Sequence, residues 1–196
     1  MLAPIISSLK RVEKVNFNYQ FEFIPMINIV NSLSDSVAVT IMRFFIENHV
    51  YENIIGRNIN FRLNDMTSVW NTKEPMEYIS RLNNKEGDDV FENIYKSEQI
   101  FLLLVHDALW HGKIYFKAFP NLKMIHIDRH PTDLVFSWFN KGYGSDFYEN
   151  PRNALLTIDW EEKILPYYAR NWEEEYINLP EMGRIIKMIN MIQNKG

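Results

Sequence analysis

A cation and a hydroxyl lie eight residues apart (137 − 129 = 8) where the residue pattern changes from strand to helix. Residues 123–127 form a short, largely apolar run typical of a buried strand, and Arg129 and Pro131 follow it. Proline suits the first turn of a helix because its φ angle is already helical, and Ser137 lies about two turns further on. We predict an anion site formed by Arg129, Ser137 and the helix N-terminus.

This segment resembles the 3′-phosphate motif of the PAPS-dependent sulfotransferases. That motif has a lysine, an apolar strand, an arginine, in many members a proline, an aspartate, and a serine eight residues after the arginine. The matching residues are Lys123, Arg129, Pro131, Asp133 and Ser137, with Phe119, Pro120, Trp138 and Phe139 extending the match on both sides. The resemblance implies that Arg129 and Ser137 hold the 3′-phosphate of PAPS, the sulfuryl donor.

The same resemblance implies a general base at the end of the preceding strand. His106 follows the apolar run 100–105 and lies 23 residues before Arg129 (129 − 106 = 23). Histidine can remove the acceptor proton near neutral pH during an in-line transfer with a loose transition state. Asp107 is the alternative base, because some branches of the family use a carboxylate. The competing interpretation is that His106 is a structural residue at a strand end.

A sheet and its covering helices must position these residues. Helical spacing of apolar residues predicts helices over 2–12 and from Ser34 or Asp35 onward. The strand, helix and strand pattern around 99–143 predicts an α/β fold with a parallel sheet flanked by helices, which the resemblance specifies as P-loop-NTPase-like. Two tail helices are also predicted, one of them through Ile164, Tyr168, Trp172 and Tyr176.

The family's second phosphate site is not found in the sequence. None of the seven glycines opens the N-terminal helix or belongs to a G-x-x-x-x-G-K-[ST] loop, which would hold the 5′-phosphosulfate. We therefore expect residues 1–196 to form a single sulfotransferase-like domain that lacks its N-terminal strand and P-loop. Weak or absent transferase activity is expected of such a chain.

Composition excludes several classes of function. The formal net charge of −4 argues against a nucleic-acid partner, and the absence of cysteine excludes disulfides and thiol chemistry. No apolar run approaches the length of a membrane span, and the N-terminus lacks the order of a secretory signal, which favours a cytoplasmic location. The expected partners are the nucleotide donor and a hydroxyl or amine acceptor, with carbohydrate among the candidates. The oligomeric state is not indicated.

Two other functions stay open. The chain could be a non-catalytic remnant of the fold that binds a nucleotide or a protein partner. Alternatively, His126, Asp128 and His130 alternate along the predicted strand and suggest the ligands of a metal-dependent hydrolase. Aromatic residues at steps of four in the tail suggest core packing, with stacking on sugar rings as the alternative.

Overall fold

A computed structural model describes residues 2–106 and 108–194 of the chain. The chain divides into two compact units, the first comprising Met1–Phe21 and Arg43–His106, the second Glu22–Met42 and Asp107–Gly196. The division passes through two helices, so each contributes residues to both units. The expectation that residues 1–196 make up one domain stays a prediction.

Helices dominate the described residues. The α-helices are α1 (Ala3–Ser7), α2 (Tyr19–Ile29), α3 (Asp35–Ile54), α4 (Pro75–Ser80), α5 (Asp88–Ser97), α6 (Ala108–Ala118), α7 (Pro131–Asn140), α8 (Tyr143–Glu149), α9 (Glu173–Asn178) and α10 (Glu181–Asn194). Single 3₁₀ turns lie at Val69–Asn71, Arg81–Asn83, Pro151–Ala154 and Tyr167–Ala169. The N-terminal helix is shorter than predicted, since α1 ends at Ser7 and residues 8–11 form turns before the bridge at Val12.

The first unit contains a short parallel pairing. The amide of Asn16 donates to the carbonyl of Leu102 at 2.9 Å, and the amide of Leu104 donates to the carbonyl of Asn16 at 2.8 Å. Isolated parallel bridges join Val12 to Ile100 and Asn16 to Leu103. The apolar run after residue 99 therefore pairs in parallel, but only through isolated bridges and with residues 12–16 instead of the predicted second strand at 123–127.

The second unit contains an antiparallel hairpin that the sequence did not predict. Strands β1 (Thr157–Trp160) and β2 (Lys163–Pro166) pair with Thr157 opposite Pro166. The prediction of one helix through residues 164–176 was wrong at its start. Pro166 cannot donate the backbone hydrogen bond that a helix interior requires. A 3₁₀ turn follows at Tyr167–Ala169, and α-helical structure begins only at α9.

Aromatic side chains fill the core of the second unit. Tyr176 is fully buried, and the indole Nε1 of Trp172 donates to the carbonyl of Tyr168 at 2.6 Å. The buried cluster comprises Met26, Ala154, Leu165, Tyr167, Tyr168, Ala169, Trp172, Tyr176 and Met188. The tail aromatics thus pack in the core, so they are not available as a platform for sugar rings.

The described residues do not show a P-loop-like parallel sheet. Residues 122–130, which include the predicted second strand, have neither helix nor strand and make no backbone hydrogen bond that a sheet requires. Ile125 and Ile127 are consequently 62% and 64% exposed. A strand forms only where a neighbour satisfies its amides and carbonyls, and no described segment lies in that position. The mixture of helices with short strand pairings is compatible with the α/β class in broad terms.

Candidate functional site

Arg129 lies at the end of an exposed, straight segment immediately before α7. Its amide donates to the Asp128 carboxylate at 2.8 Å, which turns that carboxylate toward the backbone. The guanidinium is exposed and forms no ion pair or hydrogen bond with any residue that the structure describes. A guanidinium in this state keeps all five of its donors for an anion.

The start of α7 is organised as the sequence predicts. Pro131 is its first residue, and His130 is the N-cap, with the ring Nδ1 accepting from the amide of Thr132 at 3.3 Å. Asp133 lies in the first turn, where a negative charge complements the helix dipole. The His130 ring already satisfies one of the free amides, so an anion here binds chiefly to Arg129 or displaces that ring.

Ser137 lies well inside α7, as its seventh residue, and its side chain is half-buried. Seven helical steps after His130 place it on the same face as the cap, roughly 10 Å further along the helix axis. Arg129 and Ser137 belong to the same unit but form no hydrogen bond with each other. A phosphate that contacts both must therefore lie beside the first two turns of α7, with the Arg129 side chain folded along the helix.

The predicted general base lies in the first unit. His106 is exposed, and its ring meets the edge of the Phe17 ring at a centroid distance of 5.4 Å. Arg129 and Ser137 are in the second unit, and Asp107, the alternative base, lies outside the described residues. The role of His106 in proton transfer stays a prediction.

A buried polar network in the first unit was missed by the sequence interpretation. It lies where residues 12–16 pair with the run after residue 99. The Asn16 side-chain oxygen accepts from His49 Nε2 at 3.3 Å and from Asn53 Nδ2 at 3.0 Å, and the Lys14 ammonium is 3.5 Å from it. The available signal was His49 and Asn53 at i and i+4, one face of α3.

Burial governs the charge of this network. Lys14 is 5% exposed, and the loss of hydration lowers the pKa of its amine. Loss of hydration also lowers the pKa of the half-buried His49 ring, with the charge of Lys14 as a second cause. The carboxamide oxygen of Asn53 is buried without a hydrogen-bond partner among the described residues. The network can orient the end of the parallel pair.

An ion pair adjoins this network. The Arg81 guanidinium donates to both oxygens of Glu13, at 2.8 Å and 3.0 Å, and both side chains are nearly fully buried. The Tyr78 hydroxyl accepts from the amide of Lys14 at 2.9 Å, and burial raises the pKa of Tyr78 to about 12. Because the two opposite charges are nearly fully buried and pair with each other through two hydrogen bonds, this cluster is structural.

The second unit has a cleft of about 450 Å³. The ends of α2 and α3 and one face of α6 line it, with Asn28, Asp35, Trp110 and Lys113 among the lining residues. Asp35 pairs with Lys113 at 2.7 Å and with Lys117 at 2.6 Å, and these bonds hold the pKa of its carboxyl well below the ordinary value. The positive charge of Lys113, which lines the cleft, is therefore partly neutralised by Asp35.

Within 2–106 and 108–194, no three His, Asp or Glu side chains are gathered as metal ligands, so His126, Asp128 and His130 do not form such a group. In the same part of the chain, no helix is both long and apolar enough to cross a membrane.

Comparison with known proteins finds no match: no family model, no curated protein and no solved structure is significantly similar to this chain. The candidate site is therefore identified only from the residues of this chain and their arrangement. Of these, Arg129 and the start of α7 have the arrangement with the clearest chemical use, the binding of an anion.

Proposed function

We propose that this chain binds the 3′-phosphate of PAPS through Arg129 and Ser137 and acts as a sulfotransferase-like protein. The observation that carries the proposal is the exposed Arg129 guanidinium, unpaired among the described residues and adjacent to the start of α7. The fork of N–H groups on this guanidinium matches the geometry of a phosphate. None of the described residues gives it a negatively charged partner. A P-loop-NTPase-like parallel sheet, to which the parallel pairing of residues 12–16 with residues 100–104 would belong, is part of this proposal.

The proposed reaction is an in-line transfer of the sulfuryl group from PAPS to an acceptor. His106, or Asp107 in its place, takes the proton from an acceptor hydroxyl or amine, and the acceptor atom attacks the sulfur of PAPS. The bond from sulfur to the bridging phosphate oxygen breaks, and adenosine 3′,5′-bisphosphate leaves with the electron pair. Exposure of His106 gives it access to solvent and acceptor. A carbohydrate is one candidate acceptor.

A second candidate function is nucleotide binding without transfer. It is favoured by one sequence observation, the lack of a G-x-x-x-x-G-K-[ST] loop for the phosphosulfate end. The two functions share the 3′-phosphate site and differ in whether PAPS is consumed.

Calorimetric titration tests the shared site. We expect adenosine 3′,5′-bisphosphate to bind more tightly than adenosine 5′-monophosphate, because only the former carries the phosphate that Arg129 recognises. Arg129→Ala should weaken bisphosphate binding about 10-fold or more, the usual effect of losing charged hydrogen bonds. Arg152→Ala, at another exposed arginine, is the matched control. Equal affinity for the two nucleotides, or an unchanged affinity in Arg129→Ala, contradicts the proposal.

Product release separates the two functions. The wild type and His106→Gln are incubated with PAPS and a panel of hydroxyl and amine acceptors, and released adenosine 3′,5′-bisphosphate is measured. Acceptor-dependent release that falls in His106→Gln supports transfer. Binding without release from any acceptor supports the non-catalytic alternative.

A further inference from the structure

The cleft of the second unit combines apolar walls with one charged edge. Its volume of about 450 Å³ lies within the range of small-molecule sites. The apolar part of its lining consists of Pro25, Ile29, Leu33, Trp110 and Ile114. Pro25 and Ile114 are buried, and the Trp110 ring stacks on the Tyr167 ring at a centroid distance of 5.4 Å. Walls of this kind suit the apolar body of a ligand, an aromatic ring included.

The charged edge of the cleft carries an excess of positive charge. Asp35 and Lys113 are the only charged residues among the described residues that line it. The Lys113 ammonium contacts one oxygen of Asp35 at 2.7 Å, and the Lys117 ammonium contacts the same oxygen at 2.6 Å. Two ammonium groups on one carboxylate leave one positive charge uncompensated. An ammonium has three N–H donors, so Lys113 can donate to a ligand without leaving Asp35.

The Asp35 carboxylate is committed to the chain. Asn28 Nδ2 donates to its other oxygen at 3.0 Å, so both oxygens accept hydrogen bonds from neighbouring residues. The bonds from Lys113, Lys117 and Asn28 hold the pKa of this carboxyl well below its ordinary value, and the group stays ionised. A cationic ligand would therefore lack a free carboxylate and would meet the excess charge of the lysines. A neutral ligand would make no use of that charge.

We propose that this cleft binds an amphipathic monoanion, a small molecule with a planar apolar body and a single carboxylate or sulfonate group. The apolar body lies against Trp110, Ile29 and Leu33, and the anionic group accepts hydrogen bonds from Lys113 at the exposed edge. One anionic group matches the one uncompensated charge, whereas a dianion would leave a negative charge beside Asp35. The cleft shares no residue with the proposed 3′-phosphate site.

Two fluorescent probes separate the contribution of the charge from that of the apolar body. Anilinonaphthalene sulfonate is an aromatic monoanion, and N-phenylnaphthylamine has the same ring system without the sulfonate. Titration of the full chain with each probe gives a dissociation constant for each. We expect saturable binding of the sulfonate, and its absence overturns the proposal.

Three variants test the three parts of the cleft. Lys113→Met keeps the length of the side chain and should weaken sulfonate binding about tenfold, with the uncharged probe unchanged within about twofold. Asp35→Asn removes the competing negative charge and should tighten sulfonate binding by about threefold or more. Leu33→Ala removes an apolar wall and should weaken the binding of both probes by about threefold or more.

Controls exclude effects of folding, of net charge and of binding elsewhere. Lys163→Met and Asp159→Asn make the same charge changes at exposed positions of the second unit and should leave both constants within about twofold. Circular dichroism and the urea midpoint establish that each variant is folded. Sulfonate affinity that is unchanged in both Lys113→Met and Asp35→Asn overturns the proposal.

Arg129→Ala locates the probe within the second unit. We expect it to leave sulfonate binding unchanged, because Arg129 does not line the cleft. If this variant instead abolishes sulfonate binding, the probe occupies the anion site before α7 and the proposal is wrong. Binding of adenosine 3′,5′-bisphosphate is measured separately, so failure of the cleft leaves the proposed 3′-phosphate site untouched.

Discussion

Two arginines of this chain illustrate how burial changes the use of a cation. Arg81 is 6% exposed, and its donors are directed at Glu13. Arg129 is exposed and has no partner among the described residues. The first guanidinium is committed to the fold, because breaking its pair leaves a buried charge. The second is available to a ligand, because water already solvates it and an anion can replace that water.

Glu13→Gln should destabilise the protein strongly. The change keeps the size of the side chain but leaves the Arg81 charge buried with only Glu77, 3.5 Å away, as a carboxylate partner. We expect the free energy of unfolding, measured by urea denaturation, to fall by about 3 kcal/mol. Glu86→Gln is the matched control, because Glu86 pairs with Arg57 at an exposed position, and its effect should stay within about 0.5 kcal/mol. Equal effects of the two changes would contradict the assignment of Arg81 as a structural residue.

The lowered pKa of His49 predicts a free energy of unfolding that rises with pH. Burial lowers its pKa in the folded state, so between that pKa and the ordinary value of about 6.5 the unfolded chain binds more protons than the folded chain. The contribution of His49 is fully present above pH 6.5 and is lost as the pH falls toward the lowered pKa. The expected slope is at most about 1.4 kcal/mol per pH unit.

Urea denaturation at several pH values between 5 and 8 measures this slope. His49→Gln should flatten the dependence in the acid half of the range, since it removes the proton-binding difference. His126→Gln, at an exposed position, should leave the wild-type slope in place. If the slope survives in His49→Gln, another group is responsible for it.

The close packing of helix α8 against helix α10 depends on a single glycine. Gly144 of α8 lies against α10, where an added Cβ would come within 2.6 Å of the backbone oxygen of Glu181. Its carbonyl also accepts from the Arg184 guanidinium at 3.1 Å. The two helices can approach this closely only because no side chain stands between them.

Gly144→Ala should therefore lower the free energy of unfolding by about 1–2 kcal/mol, because the steric cost exceeds the gain in helix propensity. Gly112→Ala in α6 is the matched control, and its change in the free energy of unfolding should have the opposite sign. An added Cβ there meets only ordinary van der Waals contacts, with the Phe116 ring at 3.7 Å and the Met124 methyl at 4.0 Å, so a gain of up to about 1 kcal/mol is expected. Urea denaturation checks both. A Gly144→Ala protein as stable as the wild type would mean that α8 and α10 can separate without cost.

Binding of a nucleotide to the folded chain should raise the free energy of unfolding of the whole molecule. The net charge of −4 means that an anionic nucleotide binds through local groups against an unfavourable overall charge. At about 100 times its dissociation constant, adenosine 3′,5′-bisphosphate should raise the free energy of unfolding by about 2.7 kcal/mol. Thermal unfolding with and without the nucleotide measures this, with sodium sulfate at equal ionic strength as the control. At the same nucleotide concentration, Arg129→Ala should reduce the shift to about 1.4 kcal/mol or less, as a 10-fold or greater loss of affinity requires. A shift of equal size with sulfate in both the wild type and Arg129→Ala would show a general salt effect.

Sequence and structure agree best where the signal is local. The start of α7 was predicted because Pro131 and Asp133 act within one turn, and capping by His130 completes that turn. The strand before it was predicted equally firmly from its composition and did not form. The difference is physical: a helix satisfies its backbone within the segment, whereas a strand needs a neighbour.

The sequence by itself determined that a cation, Arg129, precedes a helix that begins at Pro131, that Ser137 lies on that helix, and that cysteine chemistry is absent, because these depend only on residue type and short spacing. The tertiary structure alone decided which polar residues are buried. It gathered Lys14, Asn16 and His49 from distant parts of the chain and left residues 123–128 without a partner strand. Burial and strand pairing depend on long-range contacts, so no local pattern of residues encodes them.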